Sequence, residues 1–462
     1  MPRTILAGIM LLKNCFHVAT LDGQSLTDVD IVIKNNRIAK IGKNLFAETI
    51  ATPEQQVLDC SNCVVIPGLV NTHHHFYQTL TRNLPAAQNA KLFDWLAYLY
   101  EIWKNIDEEA VYYSSLLAIG ELMKTGCTLS TDHHYLYPDK FSADLTGIQF
   151  EAAGKLGMRF SPSRGSMSLS KKNGGLPPDS VVQSEKQILE DSARVIEKYH
   201  DPSEDSMRKI VLAPCSPFSV TRESMKETAK LARDHHVRLH THLAETKDEE
   251  QYCQEKFGKN PLALMGEVGF MGEDVFFAHG VFFNDNELNL LAETKTSIAH
   301  CPSSNMRLGS GIARVREMID RGINVGIGVD GSASNDTSDM LGELRNALLL
   351  QRVKYGAPGL TAREAFTLGT ENGAHILNFS KAGKIKEGWL ADLAIFNINK
   401  LEYTGSLSDP LAALLFAGIS HQTEYTIVNG KIVVDHGNLV GENEESIIKK
   451  GNAIAKKLLQ KY

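Results

Sequence analysis

Three consecutive histidines end the apolar run VVIPGLVNTHHHFYQTL, residues 64–80. In a strand alternate side chains share a side, so His73 and His75 face together while His74 faces away. Two imidazoles presented this way are half of a clamp for zinc or iron. Later segments supply the other half: VRLHTHLAE carries His242 and Glu245, VFFAHGV carries His279, and INVGIGVD ends in Asp330. His73, His75, His242 and Asp330 offer three imidazoles and one carboxylate, a donor set that leaves one position open for water. A divalent cation lowers the pKa of such a water from 15.7 to about 7. Asp330 can touch the cation and take the water's proton. Glu245, three residues after His242, is placed to donate a proton to a leaving nitrogen, and His279 can steer the attacking water and stabilise the developing oxyanion. A binuclear centre would draw a modified lysine from the fourth strand, whose only lysine, Lys209, sits at the wrong end. The expectation is therefore one divalent metal per chain, zinc first and iron as the alternative.

The elements that must hold these residues read as a (β/α)8 barrel. Eight apolar strands are expected at 64–75, 128–134, 158–164, 209–216, 237–245, 275–281, 296–302 and 323–330. Helical patterns lie between them, as in DEEAVYYSSLLAIGELMKTG, ESMKETAKLARDHH and ARVREMIDRG, and the alternation signals parallel strands with crossover helices. The polar stretch 165–208 reads as a loop followed by a solvent-facing helix. In such a barrel the C-terminal strand ends make the active face. Asp132, His133, His134, Arg164 and His300 fall at such ends too, with His133 and His300 as readily hydrogen-bonded core residues as functional ones. Both chain ends are β-rich, with hairpin turns at Asp22-Gly23, Asn35-Asn36, Asn429-Gly430 and His436-Gly437. The expected division is a β-sandwich from residues 1–62 and 380–445, a barrel over 63–379, and a C-terminal helix over 446–462.

Composition narrows the function. A net charge of -7 with no long basic run argues against nucleic acid or an anionic membrane as partner, leaving a small molecule. No run approaches the 18 apolar residues of a membrane span, and the apolar start MPRTILAGIMLLKNC carries no small-residue cleavage site. Seven scattered cysteines suit a reducing compartment, so a cytoplasmic protein is expected, with Cys60 and Cys63 structural despite their CxxC spacing. A homodimer is the default assembly.

The motifs PGLVNTHHH, HTHLAET, AHGV, CPSSNMRL and GVDGSASND resemble, across the whole chain, the mononuclear-metal deaminase branch of the amidohydrolase superfamily. Within it, NTHHHFYQTLTR, SRGSMSL, LAPCSPFSVT and VDGSASND are similar to 8-oxoguanine deaminases and the neighbouring hydroxytriazine aminohydrolases. The resemblance implies metal at His73, His75, His242 and Asp330, acid/base roles for Glu245 and Asp330, and water contact by His279. It also implies ammonia release from 8-oxoguanine or a closely related amino-oxo purine. The alternatives on the same site are a hydroxy-s-triazine ethylaminohydrolase, an isoxanthopterin deaminase or a guanine deaminase. Zinc deaminases of the other kind pair HxE with PCxxC, and Pro214-Cys215-Ser216-Pro217 lacks the second cysteine, so polynucleotide editing is not expected. For substrate contacts, the Gln78 amide matches a lactam edge, Arg164 offers a fork of donors to a ring oxygen, and Trp95 can close over a flat ring. Ser334, in GVDGSASND, is counted with them.

Overall fold

The computed structural model describes residues 8–23, 25–45, 56–138 and 144–460. Eight parallel barrel strands follow one another around a ring: β1 Leu69–Asn71, β2 Cys127–Ser130, β3 Ser163–Ser166, β4 Val211–Pro214, β5 Arg238–Leu243, β6 Val275–His279, β7 Ser297–His300 and β8 Val325–Ile327. Closure depends on two broken strands. Arg159–Phe160, leading into β3, pairs with β2, whereas His133–His134, leading out of β2, pairs with β3, so β2 and β3 are joined over two short registers. The remaining neighbours pair in sequence order, and β8 returns to β1. A shell of helices covers the strands, and Leu212, Leu239, Phe277, Ile298 and Ile327 are buried against it.

The run expected as one strand over 64–75 is divided. Cys63–Pro67 pairs antiparallel with Leu393–Asn397 in a sheet made from both chain ends, and only Leu69–Asn71 joins the barrel. Gly68 is the joint. A Cβ there would sit 2.1 Å from Thr128 Oγ1, and its N–H donates to the Asp392 carbonyl at 2.8 Å, so backbone passes close between the two sheets. Beside it the buried Arg159 guanidinium forks onto Asp392, at 2.8 and 3.2 Å, which fastens barrel to terminal sheet. A second sheet, Arg37–Gly42, Val29–Lys34, Ile9–Cys15 and Gln56–Asp59, packs against the first. Tight turns occur where the sequence asks for them: Asn35, Asn429, Gly430, His436 and Gly437 all have positive φ.

The long helices start and stop on their own signals. Asp107 caps Glu108–Lys124 through the Ala110 N–H, and Gly126, with φ 93°, follows its end. Ser184 and Gln187 form a capping box at the start of Glu185–Tyr199. The last helix, Glu444–Leu459, lies on Glu108–Lys124, with Gly451 against Leu117 and Glu444 paired to Lys124 at 2.6 Å. Among the described residues no helix is long and apolar enough to cross a membrane, and all seven cysteines are free and buried.

Candidate active site

At the C-terminal rim, the ring nitrogens of His73, His75 and His242 come within 4.8 Å of one another, with His73 and His75 buried and His242 half-buried. The outer nitrogen of each ring is committed. His73 Nδ1 meets His240 Nε2 at 2.8 Å, and His240 Nδ1 in turn reaches the Phe276 carbonyl at 2.9 Å. A carbonyl only accepts, so the proton sits on His240 Nδ1, His240 Nε2 accepts, and His73 Nδ1 donates. His75 Nδ1 donates to the His133 carbonyl at 2.8 Å, and His242 Nδ1 to the Cys215 carbonyl at 2.6 Å. Three Nε2 lone pairs therefore face inward. His75 and His242 Nε2 stand 3.1 Å apart, and His73 and His75 Nε2 are each 3.4 Å from Asp330 Oδ1. His73 Nε2 is buried with no hydrogen-bond partner.

Such lone pairs repel unless something positive lies between them. Donors held 2.0–2.1 Å from a tetrahedral centre lie about 3.3–3.4 Å apart, close to these separations. Burial also holds the His73, His75 and His242 pKa values below the usual imidazole range, so the rings are neutral. A divalent metal fits this donor set.

Three backbone kinks aim the other groups. Ala244, His279 and Asp330 have φ of 55°, 73° and 64°, a left-handed conformation uncommon for residues carrying a Cβ and typical of functional sites. Asp330 is held by the His73 carbonyl, which accepts its N–H at 3.0 Å, and by its own Oδ1, which accepts the Gly331 N–H at 2.6 Å. His279 Nδ1 donates to Asn305 Oδ1 at 3.0 Å, which leaves Nε2 facing the cavity 3.5 Å from Glu245 Oε2 and 4.0 Å from Asp330 Oδ2. Burial opposes charge on His279, but the Glu245 and Asp330 carboxylates outweigh it and raise its pKa. Burial pushes the Glu245 carboxyl up to about 7.

These groups open onto a cavity lined by His75, Gln78, Trp95, His242, Glu245 and Asp330, with Tyr135, Cys215, Phe218 and Leu308 among its other walls. The Trp95 side of the wall comes from the helix Leu92–Trp103. Gln78 Oε1 is buried without a partner, and Ser334 Oγ lies 3.3 Å from Asp330 Oδ2. Arg164 does not reach this cavity. His133 is level with Ser163 and His134 with Arg164, so when His133 faces the barrel interior Arg164 is turned to the outside. There its guanidinium bonds Asp191 at 2.6 Å and Gln183 at 2.8 Å and lies 3.7 Å from the Tyr137 ring centre. The expectation of Arg164 against a ring oxygen is corrected: its donors are spent on the helix side.

His74 turns away from the cluster to Ser338 Oγ at 3.0 Å. Asp132 also stays out of the cavity and accepts the Phe76 N–H at 2.7 Å, which fixes the turn after His75. His133 Nε2 donates to the Ala213 carbonyl at 3.0 Å, His134 Nε2 donates to the Leu136 carbonyl at 2.8 Å, and His300 is buried on β7. Sequence reading passed over His240, Glu249, Tyr135 and Cys215. For His240 a signal was present, since HTH at positions 240–242 places it on the same strand face as His242.

The amidohydrolase family profile matches residues 64–433. The chain is 44% identical to an 8-oxoguanine deaminase of Pseudomonas aeruginosa, over 97% of this chain and 98% of the relative. It is 34% identical to a hydroxydechloroatrazine ethylaminohydrolase of Pseudomonas sp. strain ADP, over 95% and 92% of the two chains. Among solved structures, an atrazine chlorohydrolase from Arthrobacter aurescens TC1 complexed with zinc superposes with a TM-score of 0.91 at 29% identity, covering 96% of this chain and all of that one. The chain belongs to the amidohydrolase family and is a hydrolytic deaminase.

Proposed function

We propose that the enzyme deaminates 8-oxoguanine or a closely related amino-oxo purine with one zinc ion per chain, held by His73, His75, His242 and Asp330. When bound, the cation supplies Lewis acidity that makes hydroxide available near neutral pH. The chain's own residues do the rest. Asp330 accepts a proton from the attacking water through Oδ2, the oxygen turned toward His279. His279 Nε2, facing the same space, orients that water and bears on the oxygen as it gains charge. Glu245, with a pKa raised to about 7 by burial, holds its proton long enough to deliver it to the departing nitrogen. Water replaces the ring amino group with a ring carbonyl, and ammonia leaves.

The observation that carries the substrate reading is Gln78, which lines a small, mostly apolar cavity and whose buried Oε1 has no hydrogen-bond partner. An acceptor left unpaired in such a place is matched by a ring N–H, which a lactam edge presents. Trp95, Phe218, Leu92, Leu96 and Leu308 give the same cavity apolar walls, with flat faces from the two aromatic rings. The relative from Pseudomonas aeruginosa, named for 8-oxoguanine, supports the same reading.

The test is ammonia release from 8-oxoguanine, guanine, isoxanthopterin, cytosine and adenine, beside ethylamine release from hydroxytriazines. The expected order puts 8-oxoguanine first and adenine about 10⁴-fold lower, because a site built to hydrogen-bond an oxo-purine edge rejects an analogue without it. Adenine or cytosine turned over as fast as 8-oxoguanine would overturn the substrate. Preferred ethylamine release would transfer the assignment to the triazine reading.

A further inference from the structure

Glu245 faces the cavity although its spacing from His242 is odd. In an unbroken strand, residues 240 and 242 share the barrel interior and residue 245 would turn to the helix side. Instead Glu245 lines the cavity, with Oε2 3.5 Å from His279 Nε2. The alternation breaks at Ala244, whose φ of 55° is left-handed without being glycine. Such a conformation persists only where the surroundings over-determine it.

The surroundings hold both sides of the kink. On one side the Ala244 carbonyl accepts the N–H groups of Val281 at 2.9 Å and Phe282 at 3.0 Å. On the other, the N–H groups of Ala244 and Glu245 both point at a single carboxylate: Glu249 Oε1 accepts from Ala244 at 3.0 Å and Oε2 from Glu245 at 2.9 Å. Glu249 is 1% exposed, stands in the first turn of the helix Lys247–Phe257, and does not line the cavity. A carboxylate suits this task because both oxygens accept. Glutamine would turn an NH₂ toward one of the two N–H groups.

We infer that Glu249 is a positioning residue that sets the direction of Glu245 by clasping the two N–H groups of the Ala244 kink. This rests on the reading above that Glu245 moves the proton. The helix carrying Glu249 thereby ties its own first turn to the proton-transferring group, while the metal-ligand side of β5 is held separately through the Cys215 carbonyl. Loss of Glu249 should therefore affect proton delivery and spare metal binding.

The experiment compares metal-loaded full-length Glu245→Gln, Glu249→Gln and the double variant for kcat and KM on 8-oxoguanine, with metal content and melting temperature measured on each. Glu249→Gln, nearly identical in volume, is expected to lose about 10²-fold in kcat, the scale of a 1 Å misplacement, with KM and metal content near the parent values. Because Glu249 acts through Glu245, the double variant should be no slower than Glu245→Gln alone. Ala244→Gly adopts the same left-handed turn without strain, so Ala244→Gly/Glu249→Gln should regain part of the lost rate. If Glu249→Gln does not fold, the comparison of Ala244→Gly with Ala244→Gly/Glu249→Gln makes the same measurement. Multiplicative losses in the double variant, or a normal kcat for Glu249→Gln beside an impaired Glu245→Gln, would overturn the positioning role alone. A normal kcat for Glu245→Gln would remove the catalytic reading and this inference with it.

Discussion

Replacing Gln78 by alanine tests the substrate geometry directly. Gln78 is 1% exposed and its Oε1 has no partner, so any ring N–H seated against it exchanges water for this one acceptor. Removing the amide leaves that N–H unsatisfied in a closed, mostly apolar space, a cost of about 1–3 kcal/mol. At 1.36 kcal/mol per decade, kcat/KM for 8-oxoguanine should fall by roughly 5- to 160-fold. The loss must depend on the substrate. An analogue methylated or otherwise lacking the matching N–H already leaves Oε1 unpaired in the parent enzyme, so Gln78→Ala should change its kcat/KM little. Steady-state ammonia release on both compounds, for parent and variant, completes a cycle in which the ratio of ratios isolates the contact. Equal losses on the two compounds would refute the reasoning and make Gln78 a support for the Asp330–Gly331 turn, against which its side chain is tightly packed: a Cβ on Gly331 would lie 1.9 Å from Oε1.

His242→Ala should lose both metal and turnover, read by elemental analysis per chain and ammonia release, and a metal-free preparation with full turnover would end the metal reading. Glu245→Gln should retain metal and lose about 10²- to 10⁴-fold in rate. Asp392→Ala leaves the buried Arg159 guanidinium without its counter-charge and should destabilise the fold by about 3–5 kcal/mol in urea unfolding, whereas a loss below about 1 kcal/mol would show that the clasp between barrel and terminal sheet is replaceable. Arg194, Tyr199 and Lys198 hold the Asp144 carboxyl below the usual aspartate range against the opposing effect of burial. A depressed folded pKa adds stability that is present above the unfolded value near 4 and is lost as pH falls through the folded one. Asp144→Asn keeps the helix cap on Gly147, so it should flatten the fall of unfolding free energy below about pH 4, by an amount suited to a partly exposed cluster, about 0.2–1 kcal/mol. Parallel curves for the two proteins would remove Asp144 from the acid response.

Local chemistry in the sequence was enough to determine much of this protein. The two-residue period of a strand puts His73 and His75 on one face and His74 on the other, whatever the strand packs against. Capping residues such as Asp107 and Ser184, and turn pairs such as Asn429-Gly430, act within a few residues and are legible one segment at a time. Long-range register is different, because it depends on which strands meet. Only the tertiary structure divides residues 63–71 at Gly68 between two sheets, since the division follows from a close approach to Thr128 and Asp392. Only the pairing of His133 with Ser163 turns Arg164 outward, although its position near a strand end resembles that of the site residues. The odd spacing of Glu245 from His242 breaks strand alternation, and the direction of its side chain rests on a left-handed Ala244 clasped by Glu249, a carboxylate four residues further along. Residue type and spacing determine which groups are available. Their convergence at 3–4 Å requires backbone conformations that local preference disfavours, which is why the folded chain has to impose them.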